Sequence, residues 1–336
     1  MASKKTSAMM KKTSSKRSRS TKKTTIPAVR YLRYNLTNSG TPGTETSHYL
    51  DIMRDLSAVN RRLYRQGRRV HVKRITVISS NTIANGNQDP SAIVPAGRIS
   101  FSTAPESWVS QKAWQRGLKL FQQMQKRAMD AAGNDFRGAY NDFKVYLTTD
   151  HATGTQLVPI DNGNNAVKLG DWSYSDFITP DGTTSSDEFY TTLLGNHSGN
   201  AGTRTSVSLV KSYGESRATV SEAPTPGTFA VDVNDPLMNL FDEGTQTDEV
   251  LAKFQTDGED PPYDIDEYPG DNSNMPKPLV VQDTTLGQDG KATVGGFTAM
   301  CGLIEIESKS PIANDVYSVL VELAPGSYRG IKADVI

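Results

Sequence analysis

Lysine and arginine carry the most legible chemistry of this chain. Lys4, Lys5, Lys11, Lys12, Lys16, Arg17, Arg19, Lys22 and Lys23 put nine cations into the first 25 residues, with no acid among them. Arg30 and Arg33 follow, and the first carboxylate is Glu45. A second block holds Arg61, Arg62, Arg65, Arg68 and Arg69, continued by Lys73 and Arg74. Cations at this density displace counterions from phosphates, so the implied partner is a polyanion gripped without base readout and released by salt. Lys16, Arg17 and Arg19 also fit a nuclear-import signal, and a solubilising tail is the plain alternative. In the second block the guanidiniums flank Tyr64 in a segment that folds. There their planar forks can clamp phosphates, or pair with carboxylates of this or a neighbouring chain.

The charge is sorted by position. Through residue 74 there are nineteen basic residues against three acidic ones, a net of +16. The remaining 262 residues hold eighteen basic and thirty-four acidic, a net of −16. A formal net charge of zero therefore hides a polycationic front and an acidic body, an asymmetry that implies nucleic acid or a membrane surface as partner. The stretch from Phe241 to Asp271 is the acidic extreme, with eleven carboxylates and one lysine, and is expected to be a surface loop of about 242–271.

Catalytic sets are missing from the pattern. His48, His71, His151 and His197 lie far apart, without metal-ligand spacing to one another or to a cysteine. Gly295-Gly296 lacks the Lys and Ser of a phosphate loop, and no GxSxG elbow occurs. The acidic stretch lacks the spaced Asp, central Gly and closing Glu of an EF-hand, so a solvated face is expected there and no metal or cofactor. The one cysteine, Cys301, sits in an apolar run and is expected in the core, with no intrachain disulfide. Asn35-Leu36-Thr37 and Asn196-His197-Ser198 match a glycosylation sequon, taken as chance because the basic N-terminus has no apolar stretch behind it and is not a secretory signal. The run Val294 to Ile306 is too short and interrupted to span a bilayer, so no membrane insertion is expected.

The elements that must position these residues are mostly strands. Residues 1–44 are expected as a basic, largely disordered arm, with Val29, Tyr31, Leu32 and Tyr34 offering a short strand or packing contact. Leu50, Met53, Leu56, Val59 and Leu63 recur at spacings of three and four, predicting a helix or turn over 48–67. Alternation predicts a strand from Arg69 to Ser79, with a weaker one from Arg98 to Thr103. Trp114, Leu118, Phe121 and Ala128 mark one face of a helix inserted over about 106–132, closed by Gly133-Asn134, with Gly117 as its weak point. Asp142–Thr149 and, less clearly, 172–178, 188–194, 203–212, 217–220 and 229–233 are expected as strands. Long strands close the chain at Ala292–Glu307 and Val316–Leu323. Strands separated by Gly, Pro and Asn turns, with one helix, describe a mainly β antiparallel sandwich or barrel over 45–336.

Three stretches resemble a family. HYLDIMRDLSAVNRRLYRQGR at 48–68, ESWVSQKAWQRGLKLFQQMQ at 106–125 followed by YNDFKVYLTTD at 140–150, and PGSYRG at 325–330 are similar to blocks of the capsid proteins of circular, Rep-encoding single-stranded DNA viruses. They cover about a quarter of the chain, and 151–290 matches nothing in that family. The resemblance implies an eight-stranded jelly-roll subunit of an icosahedral shell, with its basic arm on the packaged genome. It implies identical subunits as partners, host nuclear import as a further contact, and the virion and host nucleus as locations. It supports Arg61, Arg62, Tyr64 and Arg65 as parts of an inner basic surface and carries over no catalytic residue.

Two other classes compete. One is a monomeric nucleic-acid-binding protein with a basic tail, whose Tyr31, Tyr34 and Tyr64 would stack on bases. The other is an all-β hydrolase with paired carboxylates. The leader itself yields a number. If six to nine of its nine cations engage phosphates, log affinity for single strands falls against log salt with a slope of about −4 to −6. A salt titration of filter binding giving a slope near −1 would show an idle leader.

Overall fold

The computed structural model describes residues 28–79, 97–132, 138, 140–178, 188–198, 205–216, 268–271, 275–287 and 290–336. The expected strands at 217–220 and 229–233, nine of the leader cations and nearly all of the acidic loop lie outside them. First come β1 (Tyr31–Thr37), β2 (Glu45–Asp51), α1 (Ile52–Asn60), β3 (Arg68–Ser79) and β4 (Arg98–Thr103). An insertion follows with α2 (Trp108–Ala132), α3 (Thr149–Thr153), β5 (Thr155–Gln156), β6 (Asp176–Ile178), β7 (Glu188–Thr192), β8 (Ser206–Ser208) and α4 (Leu209–Glu215). The chain returns through β9 (Leu279–Thr285), β10 (Lys291–Val294), β11 (Phe297–Met300), β12 (Leu303–Lys309) and β13 (Val316–Leu323). Short β14 (Pro325–Gly326), β15 (Gly330–Ile331) and β16 (Ala333–Val335) end it. The fold is mainly β, with most pairings antiparallel.

Two sheets face each other. One runs β1-β13-β3, with β10 and β11 along the far edge of β3 and β16 also on β3; the other runs β5-β2-β12-β4-β9. Period-two alternation sends Leu32, Tyr34 and Leu36 of β1, Val319 and Val321 of β13, and Val72, Ile75 and Val77 of β3 into one core. Leu50, Ile99, Phe101, Ile304 and Ile306 meet them from the second sheet. Each such side chain contributes about 1.5–3 kcal/mol by leaving water.

The arm expected over 1–44 is thus shorter. β1 pairs with β13 along its whole length, from Tyr31 opposite Glu322 to Thr37 opposite Val316. Residues 28–44 belong to the folded body because Leu32, Tyr34 and Leu36 are buried there. The helix expected over 48–67 splits as well. β2 runs through Asp51, and α1 starts only where the Asp51 side chain accepts from the Met53 and Arg54 amides.

Ala292–Glu307 is three strands instead of one. β10 and β11 keep a single register on β3, Val294 opposite Ile75 and Phe297 opposite Val72, so they form one strand interrupted at Gly295-Gly296. Opposite that gap β3 carries a bulge: Val72 and Ile75 are buried with Lys73 and Arg74 both exposed between them, and the β13 register slips at the same place. Glu322 holds both bulge cations, accepting from Lys73 Nζ at 2.6 Å and from Arg74 at 2.9 Å. The chain then turns at Cys301 and Gly302, both at positive φ, and crosses to the other sheet as β12.

The insertion builds a second core. Val109, Ala113, Trp114 and Phe121 of α2 pack with Phe143, Val145, Leu147, Leu193, Leu209 and Val210, and against Met300, Cys301 and Leu303 of the β11–β12 turn. Gly117 permits this packing, since a Cβ there would lie 2.8 Å from Leu209 and 3.0 Å from Phe143. The insertion exceeds the single helix expected over 106–132, and the strand expected at 203–212 becomes β8 followed by α4.

Glycine at 296 is sterically required. A Cβ there would lie 2.6 Å from the Val72 carbonyl oxygen and 2.8 Å from that of Lys73. Gly296→Ala is expected to lower stability by about 1–3 kcal/mol. Gly295→Ala, which would meet only the Gln282 amide at 3.8 Å, is expected to cost less. Urea unfolding of both checks the order, and equal midpoints would refute it.

Candidate nucleic-acid interface

The segment from Asp51 to Arg69 is held by a buried carboxylate. Asp51 is inaccessible to solvent; besides capping α1, it accepts from Trp172 Nε1 at 3.0 Å, Tyr174 OH at 3.2 Å and Gln66 Nε2 at 3.3 Å. Burial still raises its pKa, against the pull of Arg54 and these donors. Next to it Asp55 accepts from Tyr34 OH at 2.6 Å and Arg54 Nε at 2.9 Å. Burial opposes the Arg54 charge, yet Asp55 and Asp51 outweigh it and raise the Arg54 pKa. The rest of the Arg54 guanidinium donates to Gln156 and to the Leu157 carbonyl. Gln66 mimics a strand neighbour, accepting from the Val145 amide at 2.6 Å and donating to the Val145 carbonyl at 3.0 Å.

Several expected phosphate ligands have intrachain partners. Arg65 pairs with Asp142. The Arg68 guanidinium lies 3.6 Å over the Tyr328 ring and also donates to the Ala333 carbonyl. Arg69 reaches Glu106 at 3.7 Å and the Val335 carbonyl. Arg33 lies on the exposed face of β1, its Nε donating to Ser318 Oγ at 3.3 Å. Arg30 is half-buried just ahead of β1. Tyr64 is fully buried, its hydroxyl donating to the Arg329 carbonyl, so it offers no stacking face. Tyr34 is buried in the main core.

Arg61 and Arg62 go elsewhere. Arg61 closes α1 in the left-handed conformation, φ 51°, its amide donating to the Ser57 carbonyl. This turn aims both arginines along an open cleft of about 1300 Å³. Phe121 and Met124 of α2 form one wall; Tyr140, Lys144 and residues 169–176 form another, and Arg329 stands at the edge. Lys144 is 5 % exposed, with its Nζ donating to the Tyr140 and Ser173 carbonyls and lying 4.8 Å from the Trp172 ring centre. Among the described residues no carboxylate lies within 4.0 Å of that ammonium, and burial lowers its pKa. Asp171 and Asp176 are the acids of the lining.

The leader joins the body at this cleft. The Val29 amide donates to Asn60 Oδ1 at 2.8 Å and the Asn60 amide returns to the Val29 carbonyl at 3.1 Å, one residue from Arg61. Ala28 rests on Gly330, beside Arg329. The first described residues, Ala28 and Val29, therefore lie next to Arg61 and Arg329. Sequence reasoning missed Lys144, Tyr140, Trp172 and Arg329. Tyr140, Lys144 and Arg329 fall in the quoted stretches YNDFKVYLTTD and PGSYRG, the one available signal; Trp172 had none beyond its type.

Other candidate chemistry stays isolated. His71 Nε2 meets Asp334 at 2.7 Å and its Nδ1 meets Thr298 Oγ1 at 3.2 Å, out on the sheet surface. Among the described residues no group of three or more His, Cys, Asp or Glu side chains converges as a metal site, and no helix is long and apolar enough to cross a membrane. No protein-family model, curated protein or solved structure matches the chain.

His151 supplies a pH test of this region. Its Nδ1 accepts from the Leu147 amide at 3.0 Å, so the neutral ring carries its proton on Nε2. The ring stacks on Tyr49 at 5.1 Å, and burial pushes its pKa down to about 3. The folded chain leaves this ring neutral where the unfolded chain protonates it below about pH 6.5. This contribution is complete above that pH and fades as pH falls toward 3, by about 2 kcal/mol at pH 5. Asp55 runs oppositely: burial lifts it to about 7, so its contribution fades as pH rises through that value. Comparing the unaltered chain with His151→Gln cancels the Asp55 effect. Their difference in unfolding free energy should shrink by about 2 kcal/mol between pH 7.5 and pH 5. A gap independent of pH would contradict this account.

Proposed function

We propose that this chain is a structural subunit that self-assembles into a closed icosahedral shell and packages a single-stranded genome through sequence-independent contacts. The observation that carries the reading is the strand order. With β10 and β11 counted as one interrupted strand, the long strands in chain order are β1, β2, β3, β4, β9, β10/β11, β12 and β13. One sheet then runs first-eighth-third-sixth, and the other second-seventh-fourth-fifth. The pairs first with eighth, second with seventh, third with sixth and fourth with fifth are those of a long hairpin rolled over on itself. That order supports a jelly roll, an architecture used by viral capsid and lectin domains.

Fold alone does not choose between those uses. The cationic leader does, in this proposal. A leader with nine cations on each of many subunits neutralises a large polyanion by multivalency, each contact weak and the closed array strong. The resemblance of 48–68, 106–125, 140–150 and 325–330 to capsids of circular Rep-encoding single-stranded DNA viruses points the same way. On this reading the partners are identical subunits, the genome and, through Lys16, Arg17 and Arg19, host nuclear import. The locations are the virion and the host nucleus, and the role is structural, with no catalysis.

Negative-stain micrographs of the purified full chain should show uniform closed particles. Deleting residues 1–25 should lower the nucleic acid recovered from nuclease-treated particles several-fold. A sharp monomer peak at micromolar protein and physiological salt would overturn the shell in favour of the monomeric binder. Unchanged nucleic-acid content after the deletion would remove the leader as the genome contact.

A further inference from the structure

We propose that the cleft beside α1 is a second nucleic-acid site, distinct in kind from the leader: it takes an unpaired nucleotide, with its base on Tyr140 and its phosphate on Arg61 and Arg62. This rests on the polyanion-binding reading above and specifies where and how the body joins in.

Four observations converge. Tyr140 is 76 % exposed at the mouth of the cleft, a large aromatic face in water with no ring partner among the described residues. Arg61 and Arg62 line the same cleft, and unlike Arg65, Arg68 and Arg69 they have no ion pair or aromatic stack among the described residues. Lys144 lines the same cleft, nearly fully buried, with no carboxylate at ion-pair distance among the described residues and its side-chain nitrogen against the Trp172 ring. Val29 is clamped to Asn60, one residue from Arg61, so the chain that follows the cationic leader in sequence is fixed beside this cleft.

Cations interleaved with aromatic faces are the arrangement by which single strands are held, since every base has a π-face and every linkage a charge. A duplex keeps its bases stacked and cannot use Tyr140 in this way. The acidic stretch at 242–271 of a neighbouring copy, which carries carboxylates and the rings of Phe254, Tyr263 and Tyr268, forms the competing outcome.

The test uses the full chain and two probes: a ten-residue oligothymidylate and a ten-residue abasic strand with the same phosphates. Tyr140→Ala should weaken oligothymidylate binding by about five- to hundredfold and leave abasic binding within about twofold. Its side chain is mostly in water, so the thermal midpoint should hold. Arg61→Ala with Arg62→Ala should weaken both probes and flatten the salt slope by roughly one to two. Photocrosslinking of an iodouracil-bearing oligonucleotide should mark Tyr140 or Trp172; oligouridylate in parallel tells whether the ribose is tolerated. Crosslinks confined to the leader, or equal loss of both probes in Tyr140→Ala, would overturn the site. So would displacement of the oligonucleotide from the cleft by a peptide of residues 242–271 at equimolar concentration. These outcomes are independent of the shell, because closed particles in micrographs can persist when the cleft fails, and cleft binding can persist in chains that never close.

Discussion

A carboxylate taken out of water has to be ringed by donors, and Asp51 gathers its ring from distant parts of the chain. The amides of Met53 and Arg54 come from α1, the Gln66 amide from the approach to β3, and the Trp172 and Tyr174 donors from the insertion. One side chain thus starts a helix, fixes the turn after it and docks the insertion onto the sandwich. A helix of nine residues is marginal in water, so α1 depends on this capping and on burying Ile52, Met53 and Leu56. Removing a partner from such a network leaves buried polar groups stranded, which costs more than the bond itself contributes. The network is also the back wall of the cleft, since Trp172 and Tyr174 face the cleft while bonded to Asp51.

The arginine-rich motif divides its labour along these lines. Arg54 is structural and sealed, and Arg65, Arg68 and Arg69 tie the end of β3 to Asp142, Tyr328 and Glu106. Arg61 and Arg62 occupy the one sharp turn between these groups, where the left-handed cap swings the chain outward. A charge count over the motif is uniform, but the burial pattern is not. Position relative to the α1 cap decides which cations stay available to a partner.

Much of the sandwich was legible. β1 alternates throughout, and β3 and β13 alternate on either side of the bulge at Lys73 and Arg74, because one face packs and the other is wet. β4 and β12 bury both faces, carrying Ser100, Ser102 and Glu305 on the second, so their alternation is blurred. The instructive miss is 142–149. Its apolar residues Phe143, Val145 and Leu147 do alternate into a core, as a strand's would. Its amides, however, bond mostly to side chains: Lys144 to Ser175 Oγ, Val145 to Gln66 Oε1, Leu147 to His151 Nδ1. Periodicity reports which face is buried, and says nothing of whether a backbone ladder or side-chain amides satisfy the main chain. The cleft was illegible for a related reason, since its members are drawn from positions 61–62, 140–144, 172 and 329, which only the docked insertion brings together.

Cys301, at φ 58° in the turn that carries the chain between sheets, is wholly enclosed, and burial lifts its thiol pKa well above the ordinary value. Thiolate is the species that attacks disulfides, so this sulfur is inert while the turn holds. Cys301 is the one cysteine of the sequence, and its enclosure keeps this sulfur from a disulfide with any other chain while the turn stays folded.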